Sequence, residues 1–285
     1  MSHVTCSMSH VVKKYNPTSP GRRAAEVIDW RKFLTKKEPE KRLVFGFHRA
    51  QGRNNYGRIT TRHKGGRVKA LYRAVDFMYD KKDTPAVVES LEYDPNRSGF
   101  IALVKYRDGE RRYMLAPQNL AVGAKVIVSE KAPIELGSRT VLRNIPVGTF
   151  VYNVELYPGR GAVLVRSAGI GAQVLATEDN TATLKLPSGE IRVVSSSSWA
   201  SIGMVSNPEH SFMTIGKAGR NRRLGIRPTV RGTVMNPRDH AHGGGEGKTQ
   251  LGLRRPKTPW GKTARGVKTR KKNRKSNKFI LQRRK

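Results

Sequence analysis

The 285-residue chain is strongly basic, because 56 Lys and Arg against 21 Asp and Glu give a net charge of +35. A free globule of this charge would repel itself, so the composition favours a protein that a polyanion neutralises. No apolar run approaches the roughly 20 residues that span a bilayer, and the basic segments lack an apolar helical stripe, which argues against a membrane protein.

The N-terminal residues give two expectations about the compartment. Cys6 is the only cysteine, so the chain forms no internal disulfide and no cysteine-based zinc site. Residues 1–19 also lack the apolar core, about 7 to 15 residues long, of a secretory signal. We therefore expect a reducing, non-secreted compartment, and we interpret Cys6 as an inert terminal residue.

The first half of the chain predicts a basic arm followed by a small β domain. Residues 1–40 are polar and basic without a clear period, which is typical of an extended arm. In residues 41–124 short apolar runs alternate with turn residues, and Asp108-Gly109 between two β-rich runs predicts a hairpin. Five such runs fit an OB-fold, a five-stranded barrel that often binds nucleic acid. The predicted strands are residues 70–77, 86–93, 100–106, 110–115 and 125–128.

A second series of short strands predicts another β barrel in residues 125–200. This region carries eight basic and six acidic residues, so it is nearly neutral and the charge of the chain is concentrated outside it. We expect Trp199 to be a core residue at the end of this barrel. The predicted strands are residues 149–156, 162–166, 173–177, 181–186 and 190–194.

The last quarter of the chain holds the highest density of positive charge. Residues 217–285 contain 23 Lys and Arg, with Asp239 and Glu246 as the only acidic residues. Apolar residues are few and Gly and Pro interrupt any period, so burial within the chain does not offset the entropy of ordering. Because phosphate neutralisation releases counterions, we predict that residues 201–285 form an extended arm whose partner is nucleic acid.

Two motifs in this arm could carry catalysis. The glycines of residues 243–249 resemble a P-loop, but His242 occupies the position of the first template glycine, and no strand or helix pattern flanks the motif. Asp239, His240 and His242 could supply three metal ligands, so a metal-dependent nucleic-acid hydrolase is our alternative function. Because no later Asp-His pair completes that signature, we favour histidines that bind phosphate, 2′-hydroxyl or base edges. We predict that the protein binds no metal and no cofactor and is not an enzyme.

Two further features indicate contact with RNA. Residues 53–67 interleave cations, amides and hydroxyls with glycines, on a backbone too flexible to pack by itself. Trp260 lies in the basic tail, where no cluster of neighbouring apolar residues can bury it, so we predict that it stacks on nucleobases.

Eight ordered blocks of the chain resemble one known family at that family's spacing, and the match covers nearly the whole chain from about Val12. The family is the second protein of the large ribosomal subunit, in its bacterial or organellar form. Any one block is weak evidence, but the ordered set is highly specific. The blocks are residues 17–22, 57–63, 92–97, 143–148, 166–169, 216–219, 227–232 and 235–247.

The resemblance implies an all-β fold: an OB-fold-like barrel, then an SH3-like barrel, with long extended basic N- and C-terminal arms. It also implies a structural protein that binds large-subunit rRNA and supports subunit association, tRNA binding and the peptidyl transferase region. The implied partners are rRNA, neighbouring ribosomal proteins, the small subunit at an intersubunit bridge and, indirectly, tRNA. The implied location is the cytoplasmic ribosome of a bacterium or the ribosome of an organelle.

The chain has the family's histidine block, and it departs from the family pattern at two other positions. In this family, one histidine of the Asp-His-x-His-Gly-Gly-Gly block has been discussed in connection with peptide-bond formation. It falls on His240 or His242, and we expect it to order RNA rather than to catalyse. Arg67-Val68-Lys69 stands where the family usually has Gly-His-Lys, and Arg223 stands where a Trp is common.

The predicted rRNA contacts are cations, polar side chains and glycines of the regions described above. They are Arg53, Arg58, Thr60, Arg62, His63, Lys64, Arg67, Lys69, Arg166, Lys217, Arg220, Arg227, Arg231, Asn236, His240, His242, Gly243, Gly244, Gly245, Lys248, Trp260, Lys268, Arg270, Lys271, Lys272 and Lys275.

Overall fold

The computed structural model describes residues 12–284 and confirms an all-β protein. Two compact units are present, and each combines segments that are distant in sequence. The first unit holds residues 12–49, 69–218 and 278–284, and the second unit holds Ala50–Val68 and Gly219–Asn277. Cys6 and the first 11 residues of the predicted N-terminal arm lie outside the described residues.

The N-terminal part of the first unit contains short elements that periodicity did not predict. Strand β1 (Val12–Lys14) pairs antiparallel with β2 (Glu26–Ile28), and helix α1 (Pro20–Arg23) lies between them. The fixed φ of Pro20 suits the first position of a helix. Trp30 stacks on Tyr93 with ring centroids 4.3 Å apart, which anchors this part of the arm. Single 3₁₀ turns follow at Trp30–Lys32 and Lys41–Leu43.

The OB-fold-like part of the first unit is built on a four-stranded antiparallel sheet in the order β7-β6-β5-β8. Strand β6 is buried along most of its length because it is central and carries Ile, Ala, Leu and Val. The hairpin predicted at Asp108-Gly109 joins β6 to β7, with Gly109 at φ +87°. The strands are β5 (Ala86–Glu92), β6 (Ile101–Tyr106), β7 (Arg111–Leu115) and β8 (Lys125–Val126).

One predicted strand is much shorter than expected and pairs with a strand that was not predicted. Of residues 70–77 only β4 (Tyr72–Arg73) is a strand, and its partner is β3 (Val44–Phe45). The Asp76 carboxylate accepts hydrogen bonds from the amides of Met78 and Tyr79, each at 2.9 Å, and this turn ends the extended segment.

The SH3-like part follows as a seven-stranded antiparallel sheet in the order β17-β15-β14-β13-β10-β16-β9, beside a β11-β12 ribbon. The predicted strand 149–156 is split at Asn153, whose φ of +50° turns the chain from β10 to β11. Trp199 is buried, as expected. The strands are β9 (Arg139–Val141), β10 (Phe150–Tyr152), β11 (Val154–Glu155), β12 (Ala162–Leu164), β13 (Ala172–Thr177), β14 (Thr181–Lys185), β15 (Ile191–Ser195), β16 (Trp199–Ile202) and β17 (Ile280–Gln282).

The end of the basic C-terminal arm returns to the first unit as strand β17. It pairs antiparallel with β15, so that Arg192 lies opposite Ile280 and Ile191 lies opposite Gln282. Because an unpaired strand edge exposes its N–H and C=O groups, β17 covers an edge that β15 would otherwise present. The arm therefore contains a short anchor that its composition did not predict.

The helices in the described residues are all short. Helix α2 (Ala218–Leu224) spans seven residues, and none of the helices is long and apolar enough to cross a membrane. The remaining 3₁₀ turns are Leu142–Asn144, Pro208–Phe212, Gly232–Val234 and Lys275–Phe279.

A buried ion pair lies inside the SH3-like part of the first unit. Arg139 on β9 donates to the Glu155 carboxylate on β11 at 2.9 Å and to the Asn153 carbonyl at 2.7 Å. The second carboxylate oxygen of Glu155 accepts the amide of Gly159 at 3.0 Å, so both charged groups have further partners.

Tyr79, which precedes β5, completes this arrangement. Its ring lies 4.4 Å from the Arg139 guanidinium carbon, and its hydroxyl accepts a hydrogen bond from the Asn153 side chain at 2.7 Å. Burial raises the pKa of Tyr79 above its ordinary value, so its hydroxyl stays protonated at neutral pH.

We predict that Arg139→Met destabilises the protein by about 3–5 kcal/mol, because it leaves the Glu155 carboxylate buried without its cation. Urea unfolding followed by tryptophan fluorescence measures this loss. Arg111→Met is the matched control, since Arg111 pairs with Glu89 at a largely exposed position and its loss costs less than about 1 kcal/mol. Equal losses in the two variants would contradict the prediction.

Candidate RNA interface

The second unit assembles two segments that are far apart in sequence. The Gly65 amide donates to the Gly225 carbonyl at 2.9 Å, and the Arg227 amide donates to the His63 carbonyl at 3.0 Å. The structure therefore places most of the predicted rRNA contacts in one compact body. The exceptions, which lie in the first unit, are Lys69, Arg166 and Lys217.

The charge of the second unit is almost entirely of one sign. Its segments contain 23 Lys and Arg, and Asp239 and Glu246 are their only acidic residues. Two carboxylates cannot pair with so many cations, so most of these positive charges are available to an external anion. Arg58, Lys271 and Lys272 are examples with exposed side chains.

The loop around Asn54 shows how local sequence presents these cations. The Asn54 side-chain oxygen accepts hydrogen bonds from the amides of Tyr56 at 3.1 Å and Arg58 at 2.9 Å. Such a turn is a common use of Asn, and Gly57 at φ +73° completes it. The ring of Tyr56 at the tip is 81% exposed. The loop thus holds its own shape while its side chains face solvent.

Two of the predicted RNA-binding residues contact each other. The Arg62 guanidinium carbon lies 5.9 Å from the centre of the Trp260 ring, within the range of a cation–π interaction. Trp260 remains 77% exposed, so the arginine orients the indole and leaves most of its surface open.

His240 is buried, unlike the cations around it, with only 8% of its surface exposed. Its ring packs directly on the backbone of Gly232, where an added Cβ would lie 2.4 Å from the imidazole Nδ1. Gly243 is equally constrained, since a Cβ there would lie 2.3 Å from the Asn236 carbonyl oxygen. The glycines thus allow the loop to close around the histidine.

Hydrogen bonds hold this loop. The His240 amide donates to the Asn236 carbonyl at 3.2 Å, and the Gly243 amide donates to the His240 carbonyl at 2.9 Å. The Gly244 amide donates to the Met235 carbonyl at 3.1 Å. These bonds close a loop that begins directly after the 3₁₀ turn Gly232–Val234.

Both imidazoles accept hydrogen bonds from the backbone. His240 Nδ1 accepts the His242 amide at 3.0 Å, and His242 Nε2 accepts the Lys257 amide at 2.8 Å. A nitrogen that accepts such a bond carries no proton, so the neutral ring of His240 carries its proton on Nε2. His240 therefore has one N–H donor left for a phosphate or a hydroxyl group.

The geometry does not favour the metal-dependent alternative. In residues 12–284 no group of three or more His, Cys, Asp or Glu is placed to hold a metal ion. The lone pairs of His240 Nδ1 and His242 Nε2 already accept backbone amides, and Asp239 is exposed.

The departure from the family pattern at Arg67 has a structural explanation. The backbone φ of Arg67 is outside the left-handed region, so this position does not require a glycine. An added Cβ at Gly225 would lie 3.0 Å from the Arg67 Cβ, which shows how closely the arginine approaches that glycine. At the second departure, the Arg223 carbonyl accepts the Val68 amide at 3.1 Å and its side chain is exposed.

The sequence pattern did not single out Arg222, which lies in this candidate interface. Its guanidinium lies over the backbone of Gly66, where an added Cβ would be 3.2 Å from Nη2. Its place in helix α2 beside Arg220 and Arg223 could have marked it as a further basic residue. Its contact with Gly66 could not be predicted, because that contact joins segments distant in sequence.

We predict that Gly232→Ala disrupts the loop around His240, because the new methyl group would overlap the imidazole. The expected cost is about 1–3 kcal/mol in local stability. Hydrogen exchange at the Gly243 and Gly244 amides measures it, and both should exchange faster. Gly219→Ala is the matched control, since nothing lies within 4 Å of a Cβ there. Unchanged protection in Gly232→Ala would refute the prediction.

Comparison with protein families gives two adjacent matches. Residues 40–128 match the family model described as Ribosomal Proteins L2, RNA binding N-terminal domain. Residues 135–261 match the model described as Ribosomal Proteins L2, C-terminal domain, which extends beyond the SH3-like strands into the basic arm. Together the matches cover most of the chain. The chain therefore belongs to the ribosomal protein L2 family and is a structural, rRNA-binding constituent of the large ribosomal subunit.

Proposed function

We propose that the second unit is the principal rRNA-binding surface and that the protein acts as a scaffold without a catalytic step. The observation that supports this most strongly is the gathering of 23 Lys and Arg, against two acidic residues, in one compact body. Each phosphate that these side chains neutralise releases counterions, and this gain favours binding to RNA over any uncharged partner.

Within this proposal the residues have different roles. Exposed cations such as Arg58, Arg227 and Lys271 bind backbone phosphates, while glycine-rich backbone allows a close approach to RNA. His240 keeps its loop closed and offers its Nε2 proton to a phosphate or a 2′-hydroxyl. Trp260 supplies a face on which a base can stack.

The proposal also covers the individual ribosomal partners that the family resemblance implies. We place the protein in a bacterial or organellar ribosome, close to neighbouring ribosomal proteins and to the peptidyl transferase region. Contact with the small subunit at an intersubunit bridge and indirect support of tRNA binding belong to the same proposal. The uncompensated charge of the second unit fits a position deep among rRNA helices, where phosphate density is greatest.

The phosphate-binding role can be measured from the salt dependence of binding. For the full-length protein and a large-subunit rRNA fragment, Lys271→Gln with Lys272→Gln should reduce the slope of log K against log salt by about 1.5. Lys81→Gln is the matched control, because Lys81 already pairs with Asp108 and Glu110 and its replacement should leave the slope unchanged. The same loss of slope in all variants would count against a localised surface.

The absence of catalysis needs a separate assay. Wild-type protein incubated with RNA and Mg²⁺, Mn²⁺ or Zn²⁺ should cleave no more RNA than the buffer does. His240→Ala should lower incorporation into large-subunit particles, because the loop around it loses its central ring. RNA cleavage by the wild type that disappears in His240→Ala would support the hydrolase instead.

A further inference from the structure

Three aromatic rings form a continuous, partly exposed layer on the β3-β4 ribbon of the first unit. Phe45 is 50% exposed and Phe47 is 43% exposed. The ring of Tyr72 lies 5.1 Å from that of Phe45 and 5.4 Å from that of Phe47, measured between centroids. A hydrophobic core would enclose these rings, but here much of their surface remains open.

Strand pairing explains why the rings are adjacent. Phe45 lies directly opposite Tyr72 in the antiparallel register of β3 and β4. Phe47 follows β3 by two residues, and its ring lies against the same tyrosine. The arrangement therefore follows from a pairing between segments about 27 residues apart.

Arginines surround this aromatic layer. The Arg49 guanidinium carbon lies 5.0 Å from the centre of the Phe47 ring, and its Nη2 donates to the Asn96 side chain at 2.5 Å. Arg97 lies 5.8 Å from the centre of the Tyr72 ring, and its Nη2 donates to the Tyr72 hydroxyl at 3.3 Å. Both guanidinium groups are held beside the rings by fixed hydrogen bonds.

Of the two arginines, Arg49 supplies the net positive charge at this surface. Arg97 forms an ion pair with Asp94 at 2.9 Å, and the Asp94 side chain is fully buried beneath it. Within residues 12–284, no carboxylate lies in ion-pair distance of Arg49. An aromatic layer with arginines at its edge complements single-stranded nucleic acid, in which flat bases are joined by phosphates.

We propose that Phe45, Phe47 and Tyr72, with Arg49 and Arg97, form a site that binds unpaired nucleotides of RNA. Bases stack on the exposed rings, the Arg49 guanidinium binds an adjoining phosphate, and Arg97 holds the Tyr72 ring in place. Duplex RNA conceals the faces of its bases, so this site selects single-stranded loops, bulges or ends. The inference rests on the proposed RNA-binding function and adds a second contact with a different chemistry.

Replacing both phenylalanines by leucine tests the proposal with the full-length protein. Phe45→Leu with Phe47→Leu keeps the charge and the apolar character but removes the stacking faces. Affinity for a single-stranded RNA of about 10 nucleotides should fall about tenfold, with an unchanged salt slope. Affinity for a duplex of the same length should change less than about twofold, because phosphate contacts dominate there.

Two further variants keep this test interpretable. Phe45→Tyr with Phe47→Tyr retains the rings and should bind single-stranded RNA as the wild type does, which separates stacking from a general folding defect. Phe212→Leu replaces another exposed phenylalanine away from the ribbon and should have no effect. Equal losses on single-stranded and duplex RNA, or no loss on either, would overturn the proposal.

Photocrosslinking locates the site independently of affinity. Trypsin releases residues 43–49 as one peptide that contains both phenylalanines, because Arg42 precedes it and Arg49 ends it. Single-stranded RNA containing 4-thiouridine should crosslink to this peptide, and duplex RNA should not. Crosslinks only to peptides of the second unit would reject this site and leave the proposed function intact. An absence of RNA binding by the wild-type protein would reject both.

Discussion

The first unit depends on the buried ion pair between Arg139 and Glu155. A guanidinium group in an apolar interior is tolerated only when its charge and its donors are matched, and here Glu155, the Asn153 carbonyl and the Tyr79 ring provide the match. Because Tyr79 precedes the OB-fold-like strands and the other groups belong to the SH3-like part, the contacts of Tyr79 with Arg139 and Asn153 join one part to the other. A rigid platform of this kind is what an RNA scaffold requires.

The second unit obeys a different constraint, since it contains much charge and little apolar surface. Its shape comes from backbone hydrogen bonds, glycines and single side chains such as His240, which fills the space above Gly232. This local order is sufficient to define loops, but its two carboxylates are too few to neutralise 23 Lys and Arg. In the proposed function, rRNA phosphates neutralise this charge and in turn stabilise the basic unit.

The two proposed RNA contacts use different chemistry in one chain. In the proposed roles, the second unit neutralises phosphates without reading base sequence, whereas the aromatic layer at Phe45, Phe47 and Tyr72 binds exposed base faces. On this assignment the first contact supplies affinity, and the second selects where an unpaired segment lies. A protein that fills crevices between folded RNA helices benefits from both chemistries.

Local patterns alone were enough to predict the all-β class, the Asp108-Gly109 hairpin, most strands and the basic nature of the RNA-binding segments. These features depend on neighbouring residues, because turn chemistry and alternation act over a few positions. Tertiary structure alone decided that residues 50–68 join the C-terminal segment, that β17 pairs with β15, and that Phe45 meets Tyr72. Each of these contacts joins segments that are distant along the chain. The local pattern of apolar and polar residues does not specify which distant segment a residue will contact.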